Sequence, residues 1–173
     1  ISLQQASALS GIYDSYKKDF PVLVNYIKQR VSPKTILMLH QTWAYANNAS
    51  HIGFKHYHSN QLNMYTAIVN SIQKAANLVG IKKIIPTGTA IQNVRTSFIG
   101  DNLNRDGYHL NYGTGRYTAA CIWFESLTGE NIIGNPYYPK NLTSKEVQTI
   151  QKAAHAAILA PDRITNYTIY VNY

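Results

Sequence analysis

The sequence predicts an α/β fold, a parallel sheet with helices on its faces, and three observations carry that expectation. Short apolar runs, the size of buried parallel strands, recur at 1–4, 35–39 and 83–85. Longer stretches with helical spacing lie between them, and this alternation of strand and helix is the pattern of a parallel sheet covered by helices. A length of 173 residues with 45% apolar side chains suits one packed domain.

Taken in order, residues 1–5 alternate apolar and polar side chains and then meet Ala6-Ser7-Ala8-Leu9-Ser10-Gly11, the tail of a strand entering a loop. Over 14–30, Tyr16, Phe20, Leu23, Val24 and Ile27 recur at helical spacing, with Pro21 marking a kink or a restart. Ser32-Pro33 ends that helix, and 35–39 is a buried strand. His40-Gln41-Thr42-Trp43-Ala44-Tyr45 follows, leading into a polar loop that reaches His58. Ligands in open α/β sheets sit beyond the carboxyl ends of the strands, which places this segment to line a site; a long surface loop is the alternative. The helix over 60–79 aligns Leu62, Tyr65, Ile68, Val69, Ile72, Ala76 and Val79 on one face and stops at Gly80. A strand over 81–86 closes on Pro86, and a turn at 87–89 opens a short helix over 90–98 that carries Gln92, Asn93 and Arg95. Helices over 113–127 and 144–159 come next, with a loop at 135–139 between them, and 163–173 alternates like an edge strand or a crossing tail.

The formal charge of +8 is spread as single Lys and Arg residues and the pairs Lys17-Lys18 and Lys82-Lys83. Without a basic run or basic–aromatic interleaving, nucleic acid is excluded as a partner. No stretch has the length of a membrane span. A single cysteine, Cys121, allows no disulfide within the chain and reads as a buried thiol. The compartment stays open, with an extracytoplasmic setting, secreted or periplasmic, as the expectation. His40, His51, His56 and His58 raise a zinc alternative, but a His-Glu-x-x-His pair is missing and Cys is nearly absent, so neither metal nor cofactor is expected.

Most of the usable catalytic chemistry falls in Gly100-Asp101-Asn102-Leu103-Asn104-Arg105-Asp106-Gly107-Tyr108-His109-Leu110. An Asp three residues before a His, with Gly between them, places carboxylate and imidazole on one side of a tight turn. In serine-type hydrolases such an imidazole takes the nucleophile's proton while the carboxylate fixes its tautomer. The competing reading makes Asp106 the cap of the helix beginning near Gly113 and His109 an ordinary loop residue.

Four stretches together resemble the C-terminal half of the SGNH (GDSL-like) hydrolases, closest to an uncharacterised group within them. They are Leu3-Gln4-Gln5-Ala6-Ser7, His40-Gln41-Thr42-Trp43-Ala44-Tyr45, the run from Ile85 through Arg95, and Gly100 through Leu110. The resemblance implies a flavodoxin-like three-layer αβα fold and a serine esterase or deacylase without a metal. Residues 1–129 would form the C-terminal part of that domain, and 130–173 a helix and tail packed on it. Asp106 and His109 match the family's Asp-x-x-His, the acid and base of its triad. Gln4-Gln5 and Ser7 stand where the family has Gly-x-Asn-Asp, which offers Gln5 as the oxyanion donor. Trp43 and Tyr45 would wall the site, with Asn93 and Arg95 as further contacts to a small-molecule or carbohydrate ester. The family's Gly-Asp-Ser or Gly-Asn-Ser motif is missing from these residues. The expectation is therefore an N-terminal truncation that leaves the nucleophile behind, with a bare sheet edge ready to pair with the missing segment or another chain. A non-catalytic ligand- or carbohydrate-binding module on the same fold is the rival.

Overall fold

The computed structural model describes residues 1–168 and has a three-layer αβα architecture. Strands β1 (Ser2–Leu3), β2 (Met38–His40) and β3 (Lys83–Ile85) pair in that order, all parallel, with Leu3 opposite Leu39 and His40 opposite Ile85. Alternation along the strands sends neighbouring side chains to opposite layers. Leu3, Leu39 and Ile84 face helices α1 (Asp14–Lys17), α2 (Asp19–Lys28) and α3 (Gln61–Val79). Met38 and Ile85 face α4 (Thr87–Arg95), α5 (Thr114–Thr128) and α6 (Ser144–Leu159).

The 14–30 stretch restarts rather than kinks. The break falls at Lys18, and Pro21 sits in the first turn of α2, where its missing N–H costs no helical bond. Asn60 caps α3 by accepting from the Asn63 N–H, and Gly80 ends it with a φ of 71°. The expected turn at 87–89 is instead the first turn of α4, which follows β3 at once. This helix is buried along its whole length. A Cβ on Gly88 would lie 2.1 Å from the Thr42 carbonyl oxygen, so only glycine lets the chain leaving β2 run against the start of α4. Gln41 completes that contact: its carbonyl accepts from Gly88 N–H and its Oε1 from Thr89 N–H.

α6 packs on α4 and α5 through Ile150, Ala153, Ala154 and Ala157, in one core with the second sheet face. Cys121 is 1% exposed within this core, and burial pushes its thiol up to about 12. After α6 the chain crosses α4: Asn93 Oδ1 accepts from Thr165 N–H and Thr96 Oγ1 from Tyr167 N–H. Residues 163–168 form this crossing and not a strand, and the rest of the expected edge strand, 169–173, lies outside the described residues. No helix among the described residues is long and apolar enough to cross a membrane.

Candidate active site

The 100–110 loop is closed at its base by an antiparallel bridge between Asn104 and Leu110. Arg105 N–H donates to the His109 carbonyl and Asn111 N–H to that of Leu103, while Leu103 and Leu110 anchor the loop in the core. Within this frame, Asp106 Oδ1 accepts from the backbone N–H groups of Tyr108 (3.2 Å) and His109 (2.7 Å), and Oδ2 lies 2.7 Å from His109 Nδ1. Partial burial pushes the Asp106 carboxyl up. The hydrogen bonds from the His109 ring and from both N–H groups, together with the imidazole's charge, outweigh that and hold it at about 2.

Asn111, not Asp106, caps α5, its Oδ1 accepting from Gly113 and Gly115 N–H. The capping reading of Asp106 is therefore corrected: its carboxylate serves its own turn and the imidazole. His109 is half exposed, and among the described residues its Nε2 has no hydrogen-bond partner. That nitrogen is free to accept a proton.

The loop docks on the segment leaving β2. Ala46 N–H donates to the Gly107 carbonyl, and Trp43 Nε1 donates to the Tyr108 carbonyl at 2.7 Å. Gly107 has a φ of 88°, and a Cβ there would stand 2.7 Å from Ala49 Cα. Gly107→Ala is expected to cost about 1–3 kcal/mol, because it forces both an unfavourable φ and a backbone clash. Urea denaturation checks this, and an unchanged midpoint would show that the turn can move off Ala49. The Tyr108 ring lies against His109 at 4.1 Å and against His51 and Tyr45 at 5.0 and 5.7 Å. Asp106 and His109 thus sit at the carboxyl side of the sheet, tied to the chain that leaves β2.

The other expected site residues divide. Trp43 is half-buried between His40 and the Tyr108 carbonyl and belongs to the site. Tyr45 is fully buried among Phe54, Tyr57 and Met64, with its hydroxyl 2.8 Å from Ser7 Oγ, so it is core and not a wall open to ligand. Asn93 joins α4 to the Ala153 carbonyl and to the crossing tail.

Arg95, 8% exposed, is a structural hub rather than a ligand contact. Its guanidinium donates to Gln92 Oε1, Asn104 Oδ1 and the Ala44 carbonyl, and its Nε lies 2.8 Å from Asp101 Oδ1. Burial pulls its pKa down to about 10 against the opposing pull of Asp101, so it remains a cation at neutral pH. Asp101 also accepts from Asn47 N–H and from Gln61 Nε2, which ties the loop's start to α3 and α4.

Gln5 is turned aside as well. Its Nε2 donates to the Ser15 carbonyl and Oγ, and its Oε1 accepts from Ala6 N–H. The amide that meets the end of β2 belongs to Gln4, whose Oε1 lies 2.6 Å from Nδ1 of the buried His40. The four histidines of the zinc alternative disperse, and among the described residues no group of three His, Cys, Asp or Glu side chains could hold a metal ion.

Residues 1–157 match a protein family described as a domain of unknown function (DUF4886). No curated protein matches the chain. The crystal structure of a DUF4886 family protein from Bacteroides uniformis ATCC 8492 is similar throughout, with 63% sequence identity and a TM-score of 0.96. The match covers 98% of this chain and 65% of that one, so the chain spans just under two thirds of that relative's length.

Proposed function

The chain belongs to the DUF4886 family, and from the chemistry of its Asp106–His109 pair we propose that it is part of a serine-type ester hydrolase of the SGNH kind. The observation that carries the reading is the 2.7 Å contact between Asp106 Oδ2 and His109 Nδ1, with Nε2 left without a protein partner among the described residues. Asp106 accepts only, so it holds the proton on Nδ1 and leaves Nε2 as the base. In the proposed reaction a serine hydroxyl gives its proton to His109 Nε2 as it attacks the ester carbonyl. His109 then returns that proton to the departing alcohol, and water repeats the sequence to release the acid.

The nucleophile is proposed to come from residues outside these 173, entering with a strand that pairs along the outer edge of β1, from the same protein or another chain. Two facts support this. No Gly-Asp-Ser or Gly-Asn-Ser motif occurs in the sequence, and β1 is an outer strand of the sheet. Acetyl esters on carbohydrate are the proposed substrates, with Trp43 offering a half-buried aromatic face beside the loop.

The test is turnover of p-nitrophenyl acetate by the whole protein, beside its His109→Ala variant. Hydrolysis that disappears in the variant supports the esterase. Equal rates in both would replace it with the rival, a carbohydrate- or ligand-binding module, which a His109 ring without a hydroxyl partner among the described residues also fits.

A further inference from the structure

A second carboxylate–imidazole pair joins two helices of the other layer. Glu125 on α5 is 7% exposed, and a carboxylate so deeply placed needs partners for its charge. Its Oε2 accepts from Ile132 N–H, and its Oε1 lies 2.6 Å from Nδ1 of His155 on α6. An ionised carboxylate only accepts, so Nδ1 carries a proton and the ring's other nitrogen, Nε2, is turned away from Glu125. Among the described residues Nε2 has no hydrogen-bond partner, and the His155 side chain is 25% exposed. Glu125 thus fixes the ring with one nitrogen still to be used.

His155 lines a cavity of about 620 Å³, a size that accepts a small molecule. One wall is a face of α6. Lys145, Thr149, Lys152, Ala156 and Leu159 line it at spacings of four and three, which sets them in a single stripe along the helix. Lys152 and His155, three residues apart, are neighbours on that helix. Around them Phe98, Ile133 and Leu159 leave apolar side chains exposed, and Lys145 Nζ lies 4.7 Å from the centre of the Phe98 ring. No acidic side chain among the described residues lines the cavity. Two lysines in the wall against the one glutamate behind the ring leave a single positive charge. That balance suits a monoanion with an apolar body better than a phosphate dianion.

We propose that this cavity binds an amphipathic carboxylate, its head between Lys152 and His155 and its apolar body against Phe98, Ile133 and Leu159. Lys152 supplies the charge. Nε2 of His155 accepts from the head group as the free acid or, when protonated, donates to the carboxylate. Glu125 holds the ring in place in both states. The inference does not rest on the esterase reading.

The test is isothermal titration of the whole protein with decanoate, 1-decanol and decyl phosphate. Decanoate is expected to bind saturably, one per chain, and the other two at least about tenfold more weakly. Lys152→Gln removes the charge and should weaken decanoate about tenfold. Ala156→Phe puts a ring into the cavity and should abolish binding. Should that variant fail to fold, Lys152→Gln decides the question, because Lys152 is exposed. Decanol binding as tightly as decanoate would reduce the cavity to apolar surface and overturn the inference, and equally tight decyl phosphate would overturn the choice of a carboxylate. No saturable binding of decanoate, or the same affinity in parent and Lys152→Gln, would overturn the site itself.

Discussion

On the proposed esterase reading, His109→Ala in the whole protein is expected to lower kcat for p-nitrophenyl acetate by about 10³–10⁶, the range seen when a triad base is deleted. The melting temperature should stay close to that of the parent, because the imidazole is half exposed and its partner Asp106 keeps both backbone hydrogen bonds. Asp106→Asn tests the other half of the pair. An amide can present an N–H to Nδ1 and so favour the wrong tautomer, and the expected loss is about 10³–10⁴. The pH profile adds a sign. A carboxyl held at about 2 is ionised throughout the range in which the enzyme would be assayed. Its contribution to stability is present above the ordinary carboxylate pKa and is lost only as pH falls towards 2. An NMR titration should therefore find the Asp106 carboxyl ionised at neutral pH and above, and a carboxyl signal that titrates there would overturn its role as a fixed anion.

The second large effect concerns stability. Asp101→Ala removes the carboxylate beside Arg95, whose side chain is 3% exposed, and leaves a buried guanidinium with neutral partners only. Breaking one side of such a pair typically costs about 3–5 kcal/mol. The Asn47 N–H and the Gln61 amide lose their acceptor at the same time, so the chain under the acid–base loop loosens. Urea denaturation with an unchanged m-value should register the loss. A cost below about 1 kcal/mol would mean that solvent reaches Arg95 and neutralises it without help.

The contact between Asp106 and His109 was legible in the sequence because it is local: three residues and one glycine hold it, and no distant part of the chain is needed to bring the two side chains together. The layers were legible for a similar reason, since each strand and helix carries its own periodicity. What escaped was long-range. Gln4 and His40 are 36 positions apart, and nothing near either one announces the other. The side each glutamine takes had a signal in strand alternation, because Leu3 points into the helical layer of α1 to α3 and Gln5 shares its side while Gln4 takes the opposite one. Arg95 and Asn93 were offered as further contacts of the resembled site, with a salt-bridged arginine as the alternative for Arg95. Their helix is covered on all sides, and inside such a helix polar groups are spent on the fold itself. Tyr45 differs from Trp43 only in which way the chain turns after β2, a matter settled by packing against α3.

One feature of the second sheet face makes the molecule its own gauge. With a single thiol in these 173 residues, lodged between α5 and its neighbours and scarcely ionised, this chain in its folded state should ignore alkylating reagents and mild oxidants alike. Iodoacetamide would then modify Cys121 only during excursions that part those helices, so the labelling rate counts openings of the core, one molecule at a time.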